Sequence, residues 1–132
     1  MEQKIVVHMR DGAIHKGVTH DFRAKQPTFH LLPAEGGGVP LRVSLDGMKA
    51  LFWVKDYVGN REFVARRDFD PARASEGRKA VLTFVDGETI WGVVTEDDPS
   101  CPGFFFVPSD DRDNNIRIFI IRTSLKELRW AT

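Results

Sequence analysis

The sequence predicts an all-β protein of two tandem five-stranded small barrels produced by an internal duplication. Three observations predict it. Lys4 to Pro33 and Lys79 to Pro108 superimpose without a gap at a shift of 75, and nine of those thirty positions are identical (Lys4, Val6, Asp11, Gly12, Gly17, Val18, Pro27, Phe29 and Pro33 in the first copy). Random pairing would give roughly two. Each copy carries Asp-Gly between β-rich runs, a hairpin signal (Asp11-Gly12 and Asp86-Gly87). Each copy also breaks its next run with one glycine, Gly17 or Gly92, as a bulge or sharp bend requires.

The elements follow in order. Ile5 to Arg10 is the first strand, and after the turn the second runs from Ala13 to about His20. The second copy repeats the pattern, with its second strand from Glu88 to Thr95. A polar loop, Asp21 to Gln26 or Glu96 to Cys101, leads to strand three, Thr28 to Leu32 or Gly103 to Val107, closed by Pro33 or Pro108. The run FFFV in the second copy is apolar at every position, which predicts a strand covered on both faces. A Gly-rich turn (Ala34 to Gly38) or an acidic one (Ser109 to Asn115) precedes strand four, Leu41 to Leu45 or Ile116 to Ile121. MKALFW and LKELRW close the copies, with Lys49, Leu51 and Trp53 matching Lys126, Leu128 and Trp130 at a shift of 77. The expected core is Val7, Met9, Val18, Phe29 and Leu31, with Leu82, Phe84, Val93, Phe104 and Phe106. The expected units are residues 1–53 and 79–132, joined by a connecting segment 54–78. Tyr57, Phe63 and Phe69 are too apolar for a free linker, so its first half is expected to pack and Asp68 to Arg78 to form an exposed loop.

Composition bounds the function. Net formal charge is zero, which does not imply a strong sequence-independent hold on nucleic acid. Residues 1–53 carry seven Lys/Arg against five Asp/Glu, 54–78 six against five, and 79–132 six against nine. The second copy should therefore repel a polyanion. A single cysteine, Cys101, excludes an intramolecular disulfide and reads as a loop residue. The start MEQKIVV enters a strand without an apolar signal region, and no apolar run approaches a membrane span. A cytoplasmic location without membrane association is expected.

The chemistry-bearing residues are few. An Asp-Gly two-residue turn places His8 opposite His15, close enough for a pH-sensitive spot; a histidine pair without a ligand is the plainer reading. No nucleophile–base spacing, phosphate-binding glycine loop or zinc-ligand spacing is present, so no enzyme activity, cofactor or metal is expected. Asp97-Asp98 and Asp110-Asp111 read as solvated turn carboxylates. Arg61, Arg66, Arg67 and Arg73 cluster in the connecting segment, and arginine suits phosphate; a solvated charged connection is the plainer reading.

The run DGETIWGVV, Asp86 to Val94, resembles the first signature of Sm-like proteins, a family with RNA-binding members. The first copy departs from it at His15 and Thr19. The second signature is echoed by Gly47-Met48-Lys49-Ala50-Leu51, whereas Ser124-Leu125-Lys126-Glu127-Leu128 lacks the glycine. The barrels are similar to Sm-like and SH3-like barrels, and the whole chain resembles paired-barrel bacterial proteins of unknown function. The Sm resemblance implies RNA contact at ring-lining loops, which His20, Phe22, Arg23 and Lys25 can supply, while Thr95, Asp97, Asp98 and Ser100 in the second copy cannot. PilZ domains, which bind a cyclic dinucleotide, also set arginines before a barrel. Their motif spacing differs, since Arg61 and Arg66 are five apart. The expected function is a non-enzymatic binding or adaptor module working through protein or nucleotide partners. The alternatives are an Sm-like RNA-binding protein and a cyclic-dinucleotide receptor using the connecting arginines.

Overall fold

The computed structural model describes residues 3–36, 38–58, 67–69 and 77–131. Among them are ten strands: β1 (Lys4–Met9), β2 (Ile14–Val18), β3 (Thr28–Pro33), β4 (Leu41–Ser44), β5 (Met48–Val54), β6 (Arg78–Phe84), β7 (Thr89–Glu96), β8 (Gly103–Pro108), β9 (Asn115–Ile121) and β10 (Leu125–Trp130). Single 3-10 turns at Leu45–Gly47 and Arg122–Ser124 lead into β5 and β10. The chain is all-β, and each expected strand lies within a residue or two of its expected bounds.

Every pairing is antiparallel, and the order is β10-β6-β7-β8-β9-β5-β1-β2-β3-β4. The five strands of each half are ordered alike, with the fifth beside the first and the fourth at the far end. The two halves share one continuous open sheet of ten strands. The reason is β5. Met48, Ala50, Leu51, Phe52, Trp53 and Val54 are all buried, so the strand needs cover on both faces and a neighbour on each side. It pairs with β1 on one side and with β9 on the other, Leu51 opposite Phe119 and Phe52 opposite Ile118.

Alternate side chains of the middle strands then feed two cores. Val6, Ala50, Phe52, Ile118 and Ile120 join Ala80, Leu82, Phe84, Phe104 and Phe106 in one. Ile5, Val7, Leu51, Trp53, Phe119 and Ile121 join Phe29, Leu31 and Val43 in the other. Each half thus covers part of its neighbour, and each fully buried large side chain contributes about 1.5–3 kcal/mol. Of the expected core, Met9, Val18 and Val93 are only half-buried. The FFFV run is enclosed as expected. Phe104 and Phe106 enter the first core, and Phe105 packs against Phe119 of the second, ring centroids 5.1 Å apart.

The hairpin turns differ from the expected two-residue type. Gly12 and Gly87 alone among the described residues have positive φ, 94° and 97°, so Asp11 and Asp86 do not adopt the second positive φ of a type I′ turn. The Met9 N–H donates to Ala13 O at 2.8 Å and the Gly12 N–H to Met9 O at 3.1 Å, which closes a loop one residue longer. The register moves by one, with His8 opposite Ile14 and Val7 opposite His15. The expected His8–His15 apposition is therefore corrected: a one-residue slip sends the two rings to opposite faces. Gly17 and Gly92 serve close strand approach. A Cβ at Gly92 would lie 2.2 Å from Val107 O, and one at Gly17 would lie 2.0 Å from Leu32 O.

Candidate functional site

The site is built on β7 and the turn between β8 and β9. Thr89, Ile90 and Trp91 open one wall of a cleft of about 360 Å3, and Phe52, Phe84 and Ile118 reach it from the core beneath. The opposite wall is the acidic turn. Its shape is local chemistry, since short carboxylates cap nearby N–H groups in turns. Asp110 accepts the Arg112 N–H at 3.1 Å, and Asp113 accepts the Asn115 N–H at 2.9 Å. The turn is also tied to the connecting segment. The Lys55 N–H donates to Asn114 O at 2.9 Å, the Asn114 amide donates to Asp56 O at 2.8 Å, and Ser109 Oγ donates to Asp68 O at 2.8 Å. This last bond holds the chain next to Arg67, whose guanidinium lies over the Trp91 ring, 5.1 Å from its centroid.

The rim is acidic and its carboxylates are not equivalent. Glu88 accepts Lys49 Nζ at 2.6 Å. Asp110, nearly fully buried, accepts the Arg112 guanidinium at 3.1 and 3.2 Å. Among the described residues Asp113 forms no ion pair. Burial, reinforced by the fields of Asp110 and Glu88, pushes its carboxyl above the usual carboxylate range. The cleft thus offers an apolar, aromatic floor and a carboxylate edge. That combination recognises a cationic group on an apolar stem by cation–π contact and charge-assisted hydrogen bonds.

Lys49 links the site to the first half. It projects from β5 to the β6–β7 turn, its Nζ 2.7 Å from Asp86 Oδ2 and 4.5 Å from the Phe84 ring centroid. Burial opposes its charge, but hydrogen bonds to Asp86 and Glu88 outweigh burial and raise its pKa. The Lys49 bond, with the Glu88 N–H behind it, lowers that of Asp86.

The sequence-selected residues fall elsewhere, with one exception. Phe22, half-buried, packs its ring edge-on against Phe29, Trp53 and Phe119 of the second core at 5.2–5.6 Å. Arg23 and Lys25 line a second cleft of about 350 Å3 with Glu96, Asp98, Phe105 and Phe119. Lys25 is 3.4 Å from Asp98. Hydrogen bonds from Ser100, with Lys25 adding to them, hold Asp98 down to about 2. His20 is exposed on the loop after β2. Arg122 bonds the Asp97 carboxylate, and Arg117 stacks over Trp53 and Phe105 at 4.1 and 4.9 Å. His30 meets Asp21 at 2.7 Å, and His8 lies against the Phe52 ring at 4.7 Å. Of the connecting arginines, Arg67 lines the first cleft, while Arg61, Arg66 and Arg73 lie outside the described residues. Sequence reasoning missed Trp91, Glu88 and Asp113, and it read Asp110 as solvated where the structure buries it. The available signal was Trp91 itself, a large aromatic standing where the first copy has Lys16.

No group of three or more His, Cys, Asp or Glu among the described residues is arranged to hold a metal ion. No helix among them is long and apolar enough to cross a membrane. In comparison with known proteins, residues 1–132 match the model of a family of unknown function. No curated protein and no solved structure matches the chain.

Proposed function

The chain belongs to DUF6982, a family of unknown function, and we propose that it is a non-enzymatic binding module whose cleft at Trp91 receives a basic side chain of a protein partner. The observation that carries this reading is the pairing of an aromatic floor with Glu88, Asp110 and Asp113 at one cleft. The carboxylate edge of the cleft weighs against a phosphate, and so against RNA and cyclic dinucleotides, as its ligand. Phe22 is half-buried with its ring edge-on against Phe29, Trp53 and Phe119, which weighs against its stacking on a base. The architecture we propose is a duplication of one small barrel, units 1–53 and 79–132 joined by 54–78, related to Sm-like and SH3-like barrels. The repeated strand order and the glycines at equivalent strand crossings support it. A cytoplasmic setting belongs to the same proposal.

The test is calorimetric titration at about 0.15 M salt, where exposed charges are screened beyond roughly 8 Å. The titrants are a lysine- and arginine-containing peptide, an acidic peptide, single-stranded RNA and a cyclic dinucleotide. The reading expects binding of the basic peptide alone, weakened by Asp113→Asn. Sub-micromolar RNA binding without peptide binding restores the RNA alternative, and cyclic-dinucleotide binding lost on replacing Arg61, Arg66, Arg67 and Arg73 establishes the receptor alternative.

A further inference from the structure

We propose that the cleft is occupied in cis: Arg67 of the connecting segment acts as a built-in guanidinium ligand, and an incoming arginine or lysine side chain must displace it from Trp91. This rests on the reading of the cleft as a cation site and names its ligand class and its internal competitor.

Arg67 is exposed, yet its guanidinium lies over the Trp91 ring inside the cleft. It is delivered there by a specific tether. Ser109 is buried, its N–H donates to Trp91 O at 2.9 Å, and its hydroxyl donates to the carbonyl of Asp68, the residue after Arg67. One serine therefore fixes both the aromatic floor and the segment that covers it. The cation–π contact is the weak kind made at an exposed site, so it can be exchanged for an equivalent contact from another molecule. The carboxylates suit such an exchange. Glu88 is engaged by Lys49 and Asp110 by Arg112, while Asp113 has no ion pair among the described residues and stands at the same cleft. A ligand cation that reaches both Trp91 and Asp113 gains an interaction that Arg67 is not seen to make. Burial, with the fields of Asp110 and Glu88, raises the Asp113 pKa, and an incoming cation would offset both.

The cis arrangement sets the affinity scale. A ligand competing with an occupant held by an exposed cation–π contact binds about two- to fivefold more weakly than it would to the vacant site. The experiment measures the dissociation constants of N-acetyl-arginine methylamide and N-acetyl-lysine methylamide, with the glutamine analogue as control, by following the Trp91 indole N–H in heteronuclear NMR spectra of the full chain. Arg67→Ala should bind the arginine probe about two- to fivefold more tightly than the parent. Arg67→Lys should lie between them, and Asp113→Asn should weaken the probe in both backgrounds. Unchanged thermal melting of Arg67→Ala shows that the fold is intact. Binding to Arg67→Ala that equals or is weaker than binding to the parent overturns the cis-occupancy inference while leaving the cation site standing. No binding of either cationic probe to the parent or to Arg67→Ala overturns both.

Discussion

Gly92→Ala is the sharpest test of how the sheet is built. The added Cβ would sit 2.2 Å from Val107 O and 2.6 Å from the Phe106 ring. A carbon normally approaches a carbonyl oxygen no closer than about 3.3 Å, so β7 and β8 would have to separate by about 1.1 Å at this point. The Phe106 ring cannot yield instead, because it is fully buried in the first core. Overpacking of this kind costs about 2–3 kcal/mol. Unfolding entropy of about 2.1 cal/mol/K per residue over 132 residues makes 1 kcal/mol equal to about 3–4 °C. Gly92→Ala should therefore melt about 7–11 °C below the parent. Gly17→Ala, with its Cβ 2.0 Å from Leu32 O, should lose a comparable amount. Gly36→Ala is the control, since nothing lies within 4 Å of its added Cβ and its φ is not positive. Circular dichroism melts and urea unfolding measure all three. A Gly92→Ala protein within about 0.5 kcal/mol of the parent would refute the close strand crossing.

Three further outcomes follow from the geometry. Phe104→Ala, at a side chain 2% exposed, should cost about 3–5 kcal/mol in urea unfolding. Lys49→Met should cost about 1–2 kcal/mol near neutral pH, discounted for the exposure of its acidic partners. Because the Asp86 pKa is lowered in the fold, its contribution is present above its unfolded value and lost as pH falls through the folded one, so the deficit of Lys49→Met should narrow in acid. For His8, burial first, then Lys49 and more weakly Lys16, lower the pKa against the opposing fields of Glu88 and Asp86. Its contribution is present above the unfolded value of about 6.5 and declines as pH falls through the lowered one. His8→Asn should therefore lose less melting temperature than the parent between pH 7.5 and 5.

Much of the fold is legible in the sequence because the repeat supplies two readings of each strand. What the repeat cannot convey is position within the sheet. MKALFWV and LKELRW align, yet Ala50 and Phe52 stand where β10 has Glu127 and Arg129. The difference records that β5 is an interior strand covered on both faces while β10 is an edge, and charged residues suit an edge. Read together, those substitutions point to a shared sheet, but only once the β5–β9 pairing is known. The histidine register misled because Asp-Gly is compatible with both a two-residue turn and the longer one found here. Phe22 is an aromatic in a polar loop by sequence, and only the meeting of the halves shows that Phe119 of β9 covers it. The cleft was hidden for the same reason: Trp91, the acidic turn, Phe52 and Arg67 come from four separate stretches that no local pattern unites.

The most direct measurement of the Trp91 cleft as a cation site is a heteronuclear NMR titration of the full chain with a basic peptide, compared with the same titration using single-stranded RNA. The peptide should shift the Trp91 indole and the amides of Glu88, Asp110 and Asp113, while RNA leaves them in place. Shifts confined to the loop carrying His20, Arg23 and Lys25 on adding RNA, with the Trp91 cleft unmoved by the peptide, would contradict it.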